Sequence, residues 1–464
     1  MSHRATRVLR LDALARVEGE GSLHLRLHEG RVAETRLRIY EPPRFFEAFL
    51  MGRGHTEPPD ITARICGICP VAYQMSACQA IEDACGVRVD GPLAELRRLL
   101  YCGEWIESHT LHIHLLHAPD FLGCPSAVEV ARGHRRAVER GLRIKQTGNA
   151  ILEQLGGRPI HPVNVRVGGF HRTPQPRELR PLAQRLRQAR EEALETVRWV
   201  AGFEFPDAVC DHDLLALCDP GRYAIDSGTP AVLAASDLTT DPSTDTTAGA
   251  GGRTVADVRD LPLSAFEQHV QEDQVPYSTA LTATLDGRRH LTGPLARYAV
   301  NGRWLHPVAA EAARDAGLGD ASAGPVRVNP FRSIVVRAVE VVHAIEEALR
   351  IIDAYEPPAQ PAVEVSPRRA VGAGATEAPR GLLYHRYGMA EDGTIDAARI
   401  VPPTAQNQRA IEEDVRRVVQ SCLDRRGPVP DDEELTLLCE RAVRNHDPCI
   451  SCAAHFLDLT VERT

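Results

Sequence analysis

Arg64-Ile65-Cys66-Gly67-Ile68-Cys69-Pro70 and Asp447-Pro448-Cys449-Ile450-Ser451-Cys452-Ala453-Ala454-His455 stand near opposite ends of a 464-residue chain. Each carries a Cys-x-x-Cys pair, and the four sulfurs meet only if the fold brings the two ends of the chain together. A soft four-thiolate site suits zinc, an iron–sulfur cluster or nickel-type chemistry. Zinc ribbons place their second pair roughly 15–20 residues after the first. Here most of the chain intervenes. That excludes a local zinc knuckle and leaves two readings open: a zinc clamping two ends, and a catalytic metal.

Hydrophobic residues make up 43% and charged residues 25% of the sequence, enough for a sizeable core and against disorder. A net charge of −9 argues against a nucleic-acid partner, which calls for a basic face. No apolar run approaches the roughly 18–20 residues of a membrane helix, and the basic start, Met1 to Leu11, lacks the apolar core of a signal peptide. The expected location is cytoplasmic. Of the 12 cysteines, Cys78, Cys85, Cys102, Cys124, Cys210, Cys218, Cys422 and Cys439 lack tight pairing and are expected to be inert, buried hydrophobes. There is no second cysteine cluster for an iron–sulfur relay and no Gly-x-Gly-x-x-Gly fingerprint for NAD(P).

Leu23, Leu25 and Leu27, the Glu29-Gly30 turn, and Leu37 and Ile39 predict a hairpin over residues 22–40. Helical patterns follow over residues 96–117, 127–155, 176–200, 333–352, 408–425 and 431–445; the clearest is 333–352, with one apolar face from Ile334 to Ile352. His109, His112, His114 and His117 fall in the first of these and read as core or partner-facing. Residues 234–253 are a Thr/Asp/Gly/Ala stretch without periodicity, read as a flexible insertion rather than a boundary. The expectation is a single domain over residues 1–464, mainly α with a small N-terminal β element (α+β).

Both Cys-x-x-Cys stretches resemble the two signatures of the large subunit of [NiFe] hydrogenases. Arg16-Val17-Glu18-Gly19, Arg44-Phe45-Phe46-Glu47 and Ala378-Pro379-Arg380-Gly381 match further family motifs in the expected order. Gly293-Pro294-Leu295-Ala296-Arg297-Tyr298 and Asn329-Pro330-Phe331-Arg332-Ser333 resemble the cytoplasmic, NAD(P)-linked branch. The resemblance implies a helical-bundle core and a nickel–iron centre with carbon monoxide and cyanide on the iron. Cys66 and Cys449 would be terminal nickel ligands, and Cys69 and Cys452 would bridge to iron. It implies Arg380 beside the cyanide pocket with Pro379 before it, and Glu18 taking a proton from a thiolate such as Cys449. Asp447, just before the second pair, is read either as pairing with Arg380 or as capping a turn with Pro448. Glu47, His455 and a backbone carbonyl near Ile400 would hold Mg²⁺.

The implied activity is reversible heterolytic cleavage of H₂. The electrons would leave through an iron–sulfur small subunit towards a flavin- and NAD(P)-binding diaphorase. A maturation chaperone and an endopeptidase removing residues 456–464 are implied partners. Three positions depart from the family pattern. Tyr73 stands where many members have His, Ser108 where some have an acidic residue, and Pro403 where many have a cyanide-binding Ser or Thr, leaving Thr404 or a backbone amide as the substitute donor. The rival readings are an H₂ sensor on the same fold, a redox scaffold related to a complex I subunit, which lacks the four cysteines, and a structural zinc protein, which nickel content would exclude.

Overall fold

The computed structural model describes residues 6–238, 258–321, 329–425 and 430–455. The predicted tail, 456–464, and most of the predicted insertion, 234–253, lie outside the described residues; Ala235–Asp237 form a short 3-10 turn.

The N-terminal sheet is larger than the predicted hairpin. Strands β1 (Thr6–Leu11), β2 (Gly21–His28) and β3 (Arg31–Ile39) pair antiparallel in that order. Leu23, Leu25, Leu27 and Leu37 point to the buried face as their alternation requires, and Leu9 and Leu11 join them. Val8 and Arg10, which alternate with those two leucines, are exposed and form the outward half of the alternation.

Helix α1 (Pro70–Cys85) starts directly at the first Cys pair. Beside it, four long helices form a closed ring of contacts: α2 (Gly91–Leu111), α3 (Arg135–Gly156), α4 (Pro176–Ala201) and α5 (Ser333–Asp353), with α2 on α3, α3 on α4, α4 on α5, and α5 back on α2. Two predicted helices are corrected. The 96–117 segment passes from α2 into a π-helical turn at His112–His117. The 127–155 segment is two helices, Ala127–Gly133 and α3, broken at His134. All four histidines are buried, as expected of core residues. Helix α6 (Pro403–Asp424) begins five residues before the prediction, because Pro403 serves as a first-turn proline.

The small N-terminal β element is joined by further strands that the sequence reading did not identify. Strands β4 (Ala370–Ala378), β5 (Gly381–Met389) and β6 (Ile395–Val401) form an antiparallel sheet lying on α1. A further sheet orders the strands His290–Leu291, Asp213–Cys218, Thr229–Leu233 and Arg259–Asp260. The β4–α1 contact is backbone-close. A Cβ on Gly374 would meet the Ser76 carbonyl oxygen at 2.6 Å and the Ala80 nitrogen at 2.7 Å, so only glycine fits there. The β4–β5 turn is Pro379-Arg380, and the contact with α1 therefore places Arg380 at the head of the helix that carries Cys69.

Candidate metal centre

The first cysteine pair is shaped by the entry to α1. Cys66 is extended, Cys69 is the N-cap residue, and Pro70 fills the first helical position, where no N–H is needed. The Ile68 and Cys69 N–H groups turn back to the Cys66 sulfur at 3.3 and 3.4 Å. Glu104 of α2 accepts from Val71 N (2.7 Å) and Ala72 N (3.1 Å), fixing the helix start from below.

The second pair follows a left-handed residue, Asp447 (φ 49°), which aims Pro448-Cys449 inward. The Cys449 N–H donates to Thr404 Oγ1 at 2.9 Å, and the Ile450 N–H to the Glu18 carbonyl at 2.9 Å. Glu18 and Cys449 thus form a parallel β-bridge between the two ends of the chain. Arg44 ties both pairs together, donating to the carbonyls of Ile65 and Ser451.

The four sulfurs lie within 4.8 Å of one another, and theirs is the one such metal-competent group among the described residues. Cys66 and Cys449 are 3.5 Å apart, Cys69 and Cys452 3.7 Å. A disulfide needs about 2.05 Å, so these are free thiols. A four-coordinate metal with bonds of about 2.3 Å would set its sulfurs about 3.8 Å apart in a tetrahedron, so the cage fits one soft metal. All four cysteines are at most 3% exposed. The neighbouring sulfurs Cys449, Cys452 and Cys69, by hydrogen bonding, hold the Cys66 thiol well below its usual range. Burial pushes Cys449 and Cys452 up. One member of the cage thus favours the thiolate, and a bound cation would draw the rest the same way.

Arg380 faces this cage. Its Nε donates to the Asp447 carbonyl at 2.8 Å, and its Nη2 to the Asp447 carboxylate at 3.2 Å. Its Nη1 is buried without a partner. Burial alone would lower its pKa, but the charges of Asp447 and of Cys449, Cys69 and Cys66 reverse that and raise it well above normal. A fixed cation with one free donor beside four sulfurs suits a centre that carries excess negative charge and small anionic ligands. Arg297 sets the preceding backbone: it donates to the Ala378 and Pro379 carbonyls and forms a bidentate pair with Glu340 at 2.7 and 2.9 Å. On the other side, Glu18 Oε2 accepts from the Cys449 sulfur at 3.0 Å and from Ser451 N at 3.1 Å. Glu18 is partly exposed and so connects a buried sulfur to solvent.

Glu47 and His455 also come together. Glu47 Oε1 is 3.8 Å from His455 Nε2, which lies 3.0 Å from the Ile400 carbonyl oxygen. Around an octahedral Mg²⁺ with ligands at about 2.1 Å, neighbouring ligands stand about 3.0 Å and opposite ones about 4.2 Å apart. The 3.0 Å separation matches neighbouring ligands and the 3.8 Å one falls between the two values, and Glu47 Oε1 also accepts from the Ile400 N–H at 2.7 Å. The three groups converge, and carboxylate, imidazole and carbonyl are the donors the resemblance implies for that ion.

Cys66, Cys69, Cys449, Cys452, Glu18, Arg380, Asp447 and Thr404 thus lie together around the cage, the Pro379 carbonyl is held by Arg297, and Glu47 and His455 form the second cluster. Thr404 Oγ1 accepts the Cys449 N–H, a bond that uses the oxygen and does not engage the hydroxyl hydrogen. Sequence reasoning missed Glu104, Arg297 as a residue in its own right, and Glu272. Glu272 is a buried carboxylate 2.7 Å from Arg399, in the field of His455 and Glu47, and burial pushes its pKa up to about 7. Three of the eight unpaired cysteines, Cys85, Cys124 and Cys422, are only partly buried, against expectation; burial raises Cys78 and Cys439 to about 12, as expected of inert thiols.

Comparison with known proteins agrees with this geometry. The family description "Nickel-dependent hydrogenase" matches residues 44–141 and 257–455. The chain is 32% identical to sulfhydrogenase 1 subunit alpha of Pyrococcus furiosus over 453 residues, covering 97% of this chain and 98% of that one. It is 27% identical to the NAD-reducing hydrogenase HoxS subunit beta of Cupriavidus necator over 481 residues, covering 97% and 95%. Among solved structures it resembles an NAD⁺-reducing [NiFe] hydrogenase in the H₂-reduced state, with a TM-score of 0.82 and 27% identity, covering 97% of this chain and all of the other. With its cysteine cage assembled from both ends and this likeness along almost its whole length, the chain belongs to the nickel-dependent hydrogenase large-subunit family.

Proposed function

We propose that this chain cleaves H₂ heterolytically and reversibly, and that its electrons pass through an iron–sulfur small subunit to a diaphorase acting on NAD(P). The observation that carries the reading is the 3.0 Å contact between the Cys449 sulfur and the Glu18 carboxylate, at the edge of an otherwise sealed four-sulfur cage. A nickel–iron centre with carbon monoxide and cyanide on the iron, bound by Cys66, Cys69, Cys449 and Cys452, supplies the two-electron chemistry. The protein's own part is proton handling and charge control.

Cys449 holds a proton at its sulfur. Glu18 Oε2 takes it and, being partly exposed, releases it to water. Arg380, fixed by Asp447 and by the Pro379 backbone that Arg297 holds, offers its free Nη1 to the anionic ligands and balances the charge of the sulfurs. Thr404 keeps the Cys449 backbone in register. The burial of all four sulfurs restricts substrates to very small molecules. Between Cys66 and Cys69, Gly67 is exposed and Ile68 half-exposed, so the cage comes within one residue of the surface there. That is the face on which an iron–sulfur partner would take electrons. Glu47, His455 and the Ile400 carbonyl hold Mg²⁺, with Glu272 in its outer sphere. The likeness to NAD-reducing relatives supports NAD(P) as the terminal partner, and the proposed location is the cytoplasm. An endopeptidase and a chaperone acting on the C-terminal end complete the proposal.

The test is infrared spectroscopy of the matured chain purified with its small subunit. Bands from iron-bound carbonyl and cyanide, together with H₂-dependent reduction of NAD(P), are expected. A well-folded sample with zinc and no such bands would replace the reading with a structural clamp. Bands without turnover would favour the sensor.

A further inference from the structure

Two arginines from opposite ends of the chain converge on one buried carboxylate, Asp120. It stands in a short helix, Ala118–Phe121, that continues the π-helical turn of His112–His117. Its side chain is 1% exposed. Arg16 donates from Nη2 to Asp120 Oδ1 at 2.6 Å and from Nη1 to the Leu116 carbonyl at 2.7 Å. The Arg16 Nε is buried without a partner, so Asp120 and Leu116 are its only acceptors among the described residues. Arg444 forks onto both Asp120 oxygens, Nε at 2.7 Å and Nη2 at 2.8 Å, the bidentate geometry that fixes both groups in one plane. The third nitrogen of Arg444, Nη1, donates to the Ala15 carbonyl at 2.8 Å. Glu440 accepts from Arg444 at 2.9 Å, which gives the two guanidiniums two carboxylates.

What this cluster holds is the approach of Glu18 to Cys449. Arg16 lies two residues before Glu18 and has a left-handed backbone, φ 59°. A non-glycine residue stays in that region only where its surroundings fix it. Here the Arg16 side chain and the carbonyl of the residue before it are both tied to the cluster. Arg444 ends the helix Asp432–Arg444, five residues before Cys449. Its own carbonyl lies 2.8 Å from His112 Nε2, in the π-helical turn. Such turns are frequent at functional sites. Asp120 thus joins the segment that carries the proton acceptor to the segment that carries the sulfur, and the 3.0 Å contact of Glu18 with Cys449 spans those two segments.

We propose that Asp120 is a positioning residue: through Arg16 and Arg444 it sets the Glu18 carboxylate at proton-transfer distance from the Cys449 sulfur. The inference rests on the proposed role of Glu18. Proton transfer requires the two heavy atoms at hydrogen-bond distance, and misplacing a reacting group by about 1 Å costs up to about 100-fold in rate. Asp120 has no hydrogen bond to a cage sulfur, and its effect passes through Glu18. That gives it a signature: loss of Asp120 slows proton exchange only while Glu18 is there to be misplaced.

The experiment uses the matured protein with its small subunit. Asp120→Asn and Arg16→Gln are each made alone and combined with Glu18→Gln, beside Glu18→Gln and the unsubstituted protein. The readouts are nickel content, the carbonyl and cyanide infrared bands, and deuterium exchange between D₂ and water per nickel. A neutral Asn cannot hold two guanidiniums as the carboxylate does, so exchange should fall, towards the roughly 100-fold of a misplaced group, with nickel and bands unchanged. Arg16→Gln leaves the Asp120–Arg444 fork in place and should show the same fall. In the Glu18→Gln background neither substitution should slow exchange further. Equal factors in both backgrounds, or shifted bands, would mean a general strut of the cage and would overturn the inference. If Asp120→Asn fails to load nickel, Arg16→Gln and its combination with Glu18→Gln decide. Slow exchange in Glu18→Gln with unsubstituted rates in Asp120→Asn and Arg16→Gln would overturn this inference alone. Unsubstituted exchange in Glu18→Gln would overturn the role of Glu18, and this inference with it.

Discussion

Replacing Glu18 by Gln removes a proton-carrying oxygen and changes little else. The carboxylate makes two contacts on one oxygen, from the Cys449 sulfur and from Ser451 N. Gln keeps an oxygen for the Ser451 N–H, and the backbone bond from Ile450 N to the Glu18 carbonyl is untouched. The structural loss is one sulfur hydrogen bond at a partly exposed position, about 1 kcal/mol. Unfolding entropy of about 2.1 cal/mol/K per residue gives a 464-residue chain about 1 kcal/mol/K. The melting temperature should therefore move by only about 1 °C. The kinetic loss is of another size. A positioned proton acceptor is worth about 10²–10⁴ in rate, or about 3–5 kcal/mol of barrier. The assay pairs H₂ oxidation with an artificial acceptor against deuterium exchange between D₂ and water, on samples matched for nickel. Both rates should fall at least about 100-fold in Glu18→Gln, with metals and infrared bands retained. Glu18→Asp, which withdraws the oxygen by one methylene, should fall in between. Wild-type exchange in Glu18→Gln would refute the assignment, because no other carboxylate contacts a cage sulfur among the described residues.

Arg297→Met strands Glu340 and Glu377 as buried carboxylates, a loss of roughly 3–5 kcal/mol that scanning calorimetry should read as about 3–5 °C. Adding Glu340→Leu should recover part of it, and strictly additive losses would refute the pairing. Burial drops His114 and His290 to about 4 and His343 to about 3. All three fold neutral while the unfolded chain takes up protons below about 6.5, so stability should fall as pH drops from about 6.5 towards 4, by roughly 3 kcal/mol per histidine; flat stability over that window would count against their buried neutrality. Glu47→Ala should lower bound magnesium, measured by elemental analysis, with cage sulfurs and nickel unaffected; unchanged magnesium would remove Glu47 from that site. Gly374→Ala forces a methyl against the Ser76 and Ala80 backbone and should destabilise by about 1–3 kcal/mol in thermal unfolding.

The parts of the site that sequence alone revealed are those whose meaning is local. A Cys-x-x-Cys pair carries its chemistry within a few residues, and Cys66, Cys69, Cys449 and Cys452 were legible for that reason, whereas Arg380, Glu18, Glu47 and His455 stood out only through the family resemblance. Glu104, Glu272 and Arg297 were not legible, because each is a lone charge whose neighbours come from distant segments: Val71 for Glu104, Arg399 for Glu272, Glu340 and Pro379 for Arg297. The same distinction explains the fold. The apolar faces of α4 and α5 repeat along the sequence, whereas β4 reads Ala-Val-Gly-Ala-Gly-Ala-Thr-Glu-Ala. Its glycines are there to let α1 approach, and its buried half shows no alternation from which to recognise a strand. The break at His134 escaped notice because the residues on both sides keep helical polarity.

The C-terminal segment is held to the site by hydrogen bonds from many separate parts of the chain. Residues 447–455 are anchored by partners from several other elements: the Glu18 carbonyl, Thr404, Arg44, the Phe46 N–H to the His455 carbonyl at 3.1 Å, and Ile400. Those partners belong to parts of the fold that pack without this segment: the N-terminal sheet on α6, and β4–β6 on α1. The segment depends on several separate elements for its contacts, and it brings two of the four sulfurs to the cage; with it in place all four sulfurs are sealed. A centre built from both ends of a chain also reports on the whole fold: loosening α6 at Thr404, or the Glu18 bridge, opens the cage from the side on which protons leave.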